Sequence, residues 1–280
     1  MVNTHVFLRT RFLVPVALAA VLGAPALAQQ GAQPFEPVVG QAGKDVVWVP
    51  TPEAMVEKML DVAKVTPQDF VMDLGSGDGR NVIAAAKRGA RGLGVEYNQD
   101  MVDLSRRYAA EAGVAELAQF VQGDMYEADI SKATVLALFL LPANLSTLRP
   151  KFLELPPGSR IVANTFGIDG WDPESTETIP NCSAWCTVML YLVPVNAAGS
   201  WQLSQGMLTL TQEVQQLTGT LGSTPITEGK VSYDTVSFMA GDGRYTARVK
   251  GDTMEGTVVL AGQESRFRAT RTARVAAAQP

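Results

Sequence analysis

The stretch Val71-Met72-Asp73-Leu74-Gly75-Ser76-Gly77-Asp78-Gly79-Arg80 constrains the fold more than any other part of this chain. The apolar run from Phe70 to Leu74 reads as a buried strand. Glycines at alternate positions follow it, and then a helical pattern from Asn81 to Arg88. Glycine lets the backbone turn sharply and approach a ligand with no Cβ in the way. The loop then feeds a helix N-terminus, whose free N–H groups suit a carboxylate or a phosphate. Alone, such a loop could be a structural turn, so its neighbours have to decide.

Those neighbours alternate strand and helix. Thr51-Pro52-Glu53 has the residues of a helix start, with Thr51 as the cap and Pro52 in the first helical position. Met55, Val56, Met59, Leu60 and Ala63 keep helical spacing behind it. Gly92–Val95, Gln119–Gln122, Thr134–Leu140, Ile161–Thr165 and Thr187–Val193 read as strands. Gln99–Ala112 and Ala143–Leu153 read as helices, the second ended or kinked at Pro150. This order predicts an α/β fold, a doubly wound, mostly parallel sheet with helices on both faces.

Two ligand classes compete for the loop. A dinucleotide fingerprint is G-x-G-x-x-G. Here the spacing is G-x-G-x-G, and Asp78 puts negative charge where a pyrophosphate would lie. S-adenosylmethionine (SAM) carries an amino group and a sulfonium besides its carboxylate. Asp73 can take the amino group while the Gly75–Gly79 backbone cradles the aminoacyl part. Glu96 ends the second strand, 19 residues beyond Gly77, where an acid can accept both ribose hydroxyls. Gly123-Asp124-Met125 offers an acid for an adenine amino group and a soft side chain for its ring. Acids at three successive strand ends describe one trough.

At this point the chain resembles the class I SAM-dependent methyltransferases, through Asp73-Leu74-Gly75-Ser76-Gly77-Asp78-Gly79-Arg80. From Val49-Pro50-Thr51-Pro52 to Gly123-Asp124 it is similar to one branch. That branch holds the lysine methyltransferases of the mitochondrial ATP synthase c-subunit and of adenine nucleotide translocase, and is distantly Dot1-like. Leu140-Leu141-Pro142 and Phe166 through Trp171 fit it too. The resemblance spans roughly residues 45–195 and implies a Rossmann-like methyltransferase sheet with SAM as cosubstrate and no metal. Carried over, Asp73, Gly75, Gly77 and Asp78 would line the methionine part, with Thr51 near its aminoacyl end. Glu96 would hold the ribose and Asp124 the adenine, Ser76, Tyr97 and Met125 would complete the cofactor-binding set, and Phe139 to Pro142 would border the acceptor channel. There is no Asn/Asp-Pro-Pro-Tyr tetrapeptide of the kind that nucleobase-amine enzymes present. A protein lysine is the expected acceptor. Tyr126, Glu127 and Asp129 are candidates to orient the amine or receive its proton, against the alternative of an exposed acidic turn. Trp171 and Trp185 are either channel walls or core.

The rest of the chain sets the context. Arg9 and Arg11, an apolar run from Phe12 to Leu22 and Ala26-Leu27-Ala28 form a secretory signal pattern. Cleavage after Ala28 predicts an exported, periplasmic or secreted protein with no stable membrane span. It also removes His5, the only histidine, so Ser-His-Asp and Cys-His mechanisms and His-ligated metal sites are excluded. Without Arg9 and Arg11 the 23 basic residues fall to 21 against 28 acidic ones, a net charge of −7 that disfavours nucleic acid. Cys182 and Cys186 could pair only across a turn at Ser183-Ala184, since one extended strand would hold them ~13 Å apart; two free thiols are the alternative.

Residues 29–44 read as a flexible lead-in, 45–195 as the methyltransferase domain and 196–280 as a β-rich domain. In the last, short alternating runs such as Met207–Thr211, Val231–Phe238, Tyr245–Val249, Met254–Leu260 and Phe267–Thr270 predict a small antiparallel meander or partial barrel. Export conflicts with the cytosolic origin of SAM. A catalytically silent, extracytoplasmic SAM- or nucleoside-binding module is therefore the alternative function.

Overall fold

The computed structural model describes residues 1–5 and 35–274. The signal segment lies outside the described residues except for residues 1–5. From Phe35 the chain builds a seven-stranded sheet and then a closed barrel.

Five parallel strands form the body of the sheet: β1 (Phe70–Leu74), β2 (Arg91–Glu96), β3 (Ala118–Gln122), β4 (Val135–Leu138) and β5 (Arg160–Asn164). β6 (Ser175–Thr178) and β7 (Thr187–Leu192) complete it in the order β3-β2-β1-β4-β5-β7-β6, with β7 antiparallel to both neighbours. β4 is buried throughout, as a strand covered on both faces must be. Helices α1 (Glu53–Val62), α2 (Arg80–Lys87), α3 (Gln99–Glu111) and α4 (Pro142–Leu153) connect and cover the strands. Met55, Met59 and Leu60 of α1 pack with Val71, Val135 and Val162, while Leu145, Leu148 and Phe152 of α4 pack with Leu136 and Ile161 in a separate cluster.

Two local readings need correction. Thr51 does not cap α1. Pro52 occupies the N-cap position without a side-chain bond, and the Thr51 carbonyl instead accepts from Arg80 Nη1 at 2.5 Å. Pro150 sits within α4 without ending it.

The sheet is anchored at the edge where β1 enters. Asp69 accepts from Thr66 N at 2.8 Å, from Thr134 Oγ1 at 2.8 Å and from Arg160. Burial pushes its carboxyl up, but these hydrogen bonds and the guanidinium outweigh burial and hold it below its ordinary value.

The barrel runs through β8 (Gly199–Leu203), β9 (Gly206–Glu213), β10 (Gln216–Leu221), β11 (Thr224–Ser232), β12 (Thr235–Ala240), β13 (Gly243–Lys250), β14 (Thr253–Leu260) and β15 (Gln263–Arg274). β15 returns to pair with β8, so closure leaves no edge. Val231–Phe238 is two strands rather than one, with a turn at Tyr233-Asp234. Trp201, Phe238, Tyr245, Met254 and Phe267 fill the interior. Gln215 ties the barrel to the sheet, accepting from Asp172 N at 2.8 Å and donating to Asp172 O at 3.0 Å.

Candidate active site

Every parallel strand ends at the same edge, and the loops there enclose a cleft of about 280 Å³. The loop after β1 reaches it through Gly75. Gly75, Gly77 and Gly79 have φ of 73°, 55° and 80°, in the left-handed region that favours glycine. A Cβ at Gly77 would lie 2.7 Å from Trp48 Nε1, and one at Gly79 would lie 2.6 Å from the Phe120 ring. These two glycines therefore serve backbone conformation and packing; Gly75 lines the cleft itself. The loop is held from both sides. Gly77 N donates to Glu96 Oε2 at 2.9 Å, and Ser105 Oγ donates to Gly77 O at 2.9 Å. Gly75 N donates to Val95 O at 2.8 Å.

The acids fall in order along this edge. Asp73 is buried beside a small hollow that Gly75, Ser76, Gly77 and Asp78 also line. Asn81 Nδ2 donates to it at 3.0 Å. Burial pushes its carboxyl well above the ordinary value, and the charges of Glu96 and Asp78 add to this against the Asn81 bond. Ser76 Oγ is buried with no hydrogen-bond partner among the described residues. Asp78 turns toward Arg80, which donates from Nε to Oδ1 at 2.9 Å and from Nη2 to Oδ2 at 2.5 Å. Glu96 takes backbone donors on both oxygens, Gly77 N on one and Asn98 N at 2.9 Å on the other. A carboxylate has about four lone-pair sites, so acceptor capacity remains.

From the lead-in, Gln41, Ala42, Gly43 and Lys44 line the cleft. Gly40 N donates to Trp48 O at 2.8 Å and Trp48 N to Gln41 O at 2.9 Å, closing a double turn over residues 40–48. Lys44 Nζ reaches Asp124 Oδ2 at 2.5 Å and lies 5.4 Å from the Tyr97 ring centre. This bond raises the lysine and lowers the acid relative to their ordinary values. Asp124 Oδ1 accepts from Tyr126 N at 2.9 Å. Tyr97 and Met125 line the same cleft.

The far half is aromatic. Phe139 follows β4, Phe166 follows β5 and Trp185 precedes β7; all three line the cleft. Their ring centres lie 5.5 to 6.3 Å apart. Trp171 is buried in the core against Tyr191 instead. Tyr126 hydrogen-bonds Asn144 through its hydroxyl at 2.7 Å, while Glu127 and Asp129 are exposed. Asp129 is lowered by hydrogen bonds from Ser131. None of these three lines the cleft. Trp48, Met101 and Phe166 do, and the sequence patterns did not single out Trp48 or Met101 as site residues.

Residues 73–175, from the buried acid of the glycine loop to the start of β6, match the ANTKMT methyltransferase domain. A protein-lysine N-methyltransferase of Saccharolobus islandicus is 41% identical over 151 residues, which cover 53% of this chain and 94% of that relative. The chain belongs to this methyltransferase family. It is a SAM-dependent methyltransferase. The adenine nucleotide translocase lysine N-methyltransferase of Mus musculus is 35% identical over 130 residues, 46% of this chain and 56% of the mouse enzyme. The chain thus spans little more than half the length of that mouse relative. A solved structure of an RNA methyltransferase from Salinibacter ruber, in complex with S-adenosyl-L-homocysteine, is 45% identical. The match covers 52% of this chain and 94% of that one, with a TM-score of 0.50. The family match ends before the barrel. Within the family's segment, the glycine loop and the ends of β2 and β3 supply the polar half of the cleft, and the ends of β4 and β5 the aromatic half.

Proposed function

We propose that this protein transfers a methyl group from SAM to a lysine side-chain amine of a protein outside the cytoplasm. The observation that carries this reading is the division of the cleft. Carboxylates stand at the ends of β1, β2 and β3, and aromatic side chains at the ends of β4, β5 and the start of β7. A cationic, hydroxyl-rich cosubstrate fits the first half and an alkylamine chain the second.

The residues fit SAM. Asp73 has a buried carboxyl with spare acceptor capacity beside the glycine backbone, suited to the amino group. Asn81, Ser76 and the Gly75–Gly77 backbone would frame the aminoacyl end. Glu96 would hold the ribose beside Tyr97, and Asp124 with Met125 the adenine. SAM supplies a methyl carbon already activated by its sulfonium. The chain's task is to align a neutral amine with that carbon and keep water out. Met125 and Leu140, apolar side chains that line the cleft, do this by desolvation, which favours the uncharged amine.

Two relatives are named for different acceptors, a protein lysine and an RNA. The acidic balance of this chain, 28 acids against 23 bases, favours the protein. Export is supported by the signal pattern and by the Cys182–Cys186 disulfide, a bond that persists in oxidising compartments. Incubating the protein with methyl-labelled SAM and a cell-envelope extract tests the reading. Label recovered as methyl-lysine is expected. Label in RNA would overturn the acceptor, and SAM binding without transfer would favour a silent binding module.

A further inference from the structure

The aromatic half of the cleft contains a feature that methyl transfer alone does not require. Phe139 and Phe166 lie nearly parallel, 14° apart, and the Trp185 ring tilts against them by 60° and 53°. The three rings meet at one corner of the cleft, which all of them line. Aromatic faces attract a cation within about 6 Å of the ring centre, through the ring quadrupole. The carboxylates lining the cleft, Asp45, Glu96 and Asp124, belong to the turn at residues 40–48 and the ends of β2 and β3. These strands lie on the other side of β1 from β4, β5 and β7. An ammonium group at the corner would be met by rings rather than by acids.

The corner is built at a backbone cost. Thr165, just before Phe166, has φ of 65°, and Trp185 has φ of 60°. A left-handed conformation is unfavourable for a residue with a Cβ, most of all a β-branched one, and such strain persists only where the surroundings enforce it. For Phe166 the enforcement is the β5–β7 contact, with Thr165 N donating to Thr187 O at 2.7 Å. For Trp185 it is the loop from Ile179 to Cys186. Ile179 N donates to Cys186 O at 2.9 Å, and the disulfide between Cys182 and Cys186 closes the loop immediately around Trp185. Trp185 is 37% exposed, so the core does little to hold it.

We propose that Phe139, Phe166 and Trp185 form a subsite for the alkylammonium of the lysine acceptor and its methylated products, with the Cys182–Cys186 disulfide positioning its third wall. This rests on the lysine reading above. The neutral amine attacks the methyl carbon as the carbon–sulfur bond breaks, so the positive charge passes from sulfur to the methylated nitrogen. The corner would hold that cation, which must give a proton to solvent before it can accept another methyl.

The test uses the full chain in its oxidised form and two probes, measured by calorimetry with and without saturating S-adenosylhomocysteine. One probe is N-acetyl-trimethyllysine methylamide. The other is its neutral isostere, with carbon in place of the quaternary nitrogen. The cation is expected to bind about tenfold more tightly than the isostere. Trp185→Ala should abolish that preference and Trp185→Phe keep most of it. A phosphine reductant should weaken cation binding by the wild type as much as Trp185→Ala does, and have no further effect on that variant. Equal affinity for the two probes, or an unchanged preference in Trp185→Ala, would overturn the subsite. Undiminished binding after reduction would overturn the role of the disulfide. Failure to bind S-adenosylhomocysteine counts against the cosubstrate trough instead, and the titration without it still decides the corner.

Discussion

Trp48 lies against Gly77, with its indole nitrogen 2.7 Å from where a Cβ on residue 77 would be. A residue from the N-terminal turn thus closes onto the loop after β1, and the loop has room for nothing larger than glycine at that point. Gly77 also has φ of 55°, which costs an L-residue roughly 1–2 kcal/mol. Gly77→Ala should lower SAM affinity by about tenfold or more, since 1.4 kcal/mol already corresponds to a factor of ten. Circular dichroism should show the sheet and barrel intact.

Asp73 sets stability against binding. Its carboxyl is pushed well above the ordinary range by burial, and the charges of Glu96 and Asp78 add to that. A group raised on folding contributes stability that is fully present below its unfolded value and lost as pH rises through the folded value. Asp73→Asn removes this loss while keeping an oxygen for Asn81 Nδ2. The variant should melt higher at neutral pH and should bind SAM poorly. In the wild type, SAM affinity should rise with pH as Asp73 ionises to meet the amino group. A variant that melts lower, or binds SAM as the wild type does, contradicts this assignment.

Asp69 serves the opposite edge of the sheet. It joins Thr66, Thr134 and Arg160, tying the starts of β1, β4 and β5 together. Asp69→Ala leaves Arg160 without its buried partner and should cost about 3 kcal/mol in urea unfolding. SAM affinity of the folded fraction should stay the same. Because Asp69 is lowered on folding, its contribution is present above its unfolded value and lost as pH falls below about 4. Urea titrations of wild type and variant at neutral and acid pH should therefore converge.

Asp124 allows binding to be separated from stability. Its partner Lys44 is about a third exposed, so the pair contributes little to folding. Asp124→Ala should weaken SAM binding by about tenfold, the scale of one charge-assisted hydrogen bond, with no change in melting temperature. Unchanged affinity would remove Asp124 from the adenine site.

The proposed export makes a prediction of its own. Expressed with residues 1–28 in a bacterial host, the protein should appear in the periplasmic or extracellular fraction with Gln29 as its first residue. Recovery in the cytoplasm with residues 1–28 attached would contradict it.

What the sequence made legible follows from burial. The buried strands and the amphipathic helices of the sheet declare themselves by apolar runs and helical spacing. β6, Ser175-Thr176-Glu177-Thr178, carries neither signal because it is an edge strand whose side chains are largely exposed. In the barrel, the turns before β10 and between β11 and β12 place Val214 and Tyr233 at positive φ. Without glycine as punctuation, β10 goes unnoticed and β11 merges with β12. Closure through β15 and β8 is a long-range pairing that no local pattern encodes. In the site, Asp73, Glu96 and Asp124 are legible because each ends a strand. Trp48 and Met101 are not, since they reach the cleft from a turn without periodicity and from the buried side of α3.

The central claim is that the loop after β1 and the acids of β1 to β3 bind SAM. Calorimetric titration of the full chain with SAM, wild type beside Asp73→Ala and Glu96→Ala, tests it most directly. One SAM per chain in the wild type, with binding reduced in both variants, is the predicted result. No heat of binding in the wild type, or equal affinity in all three proteins, would contradict it.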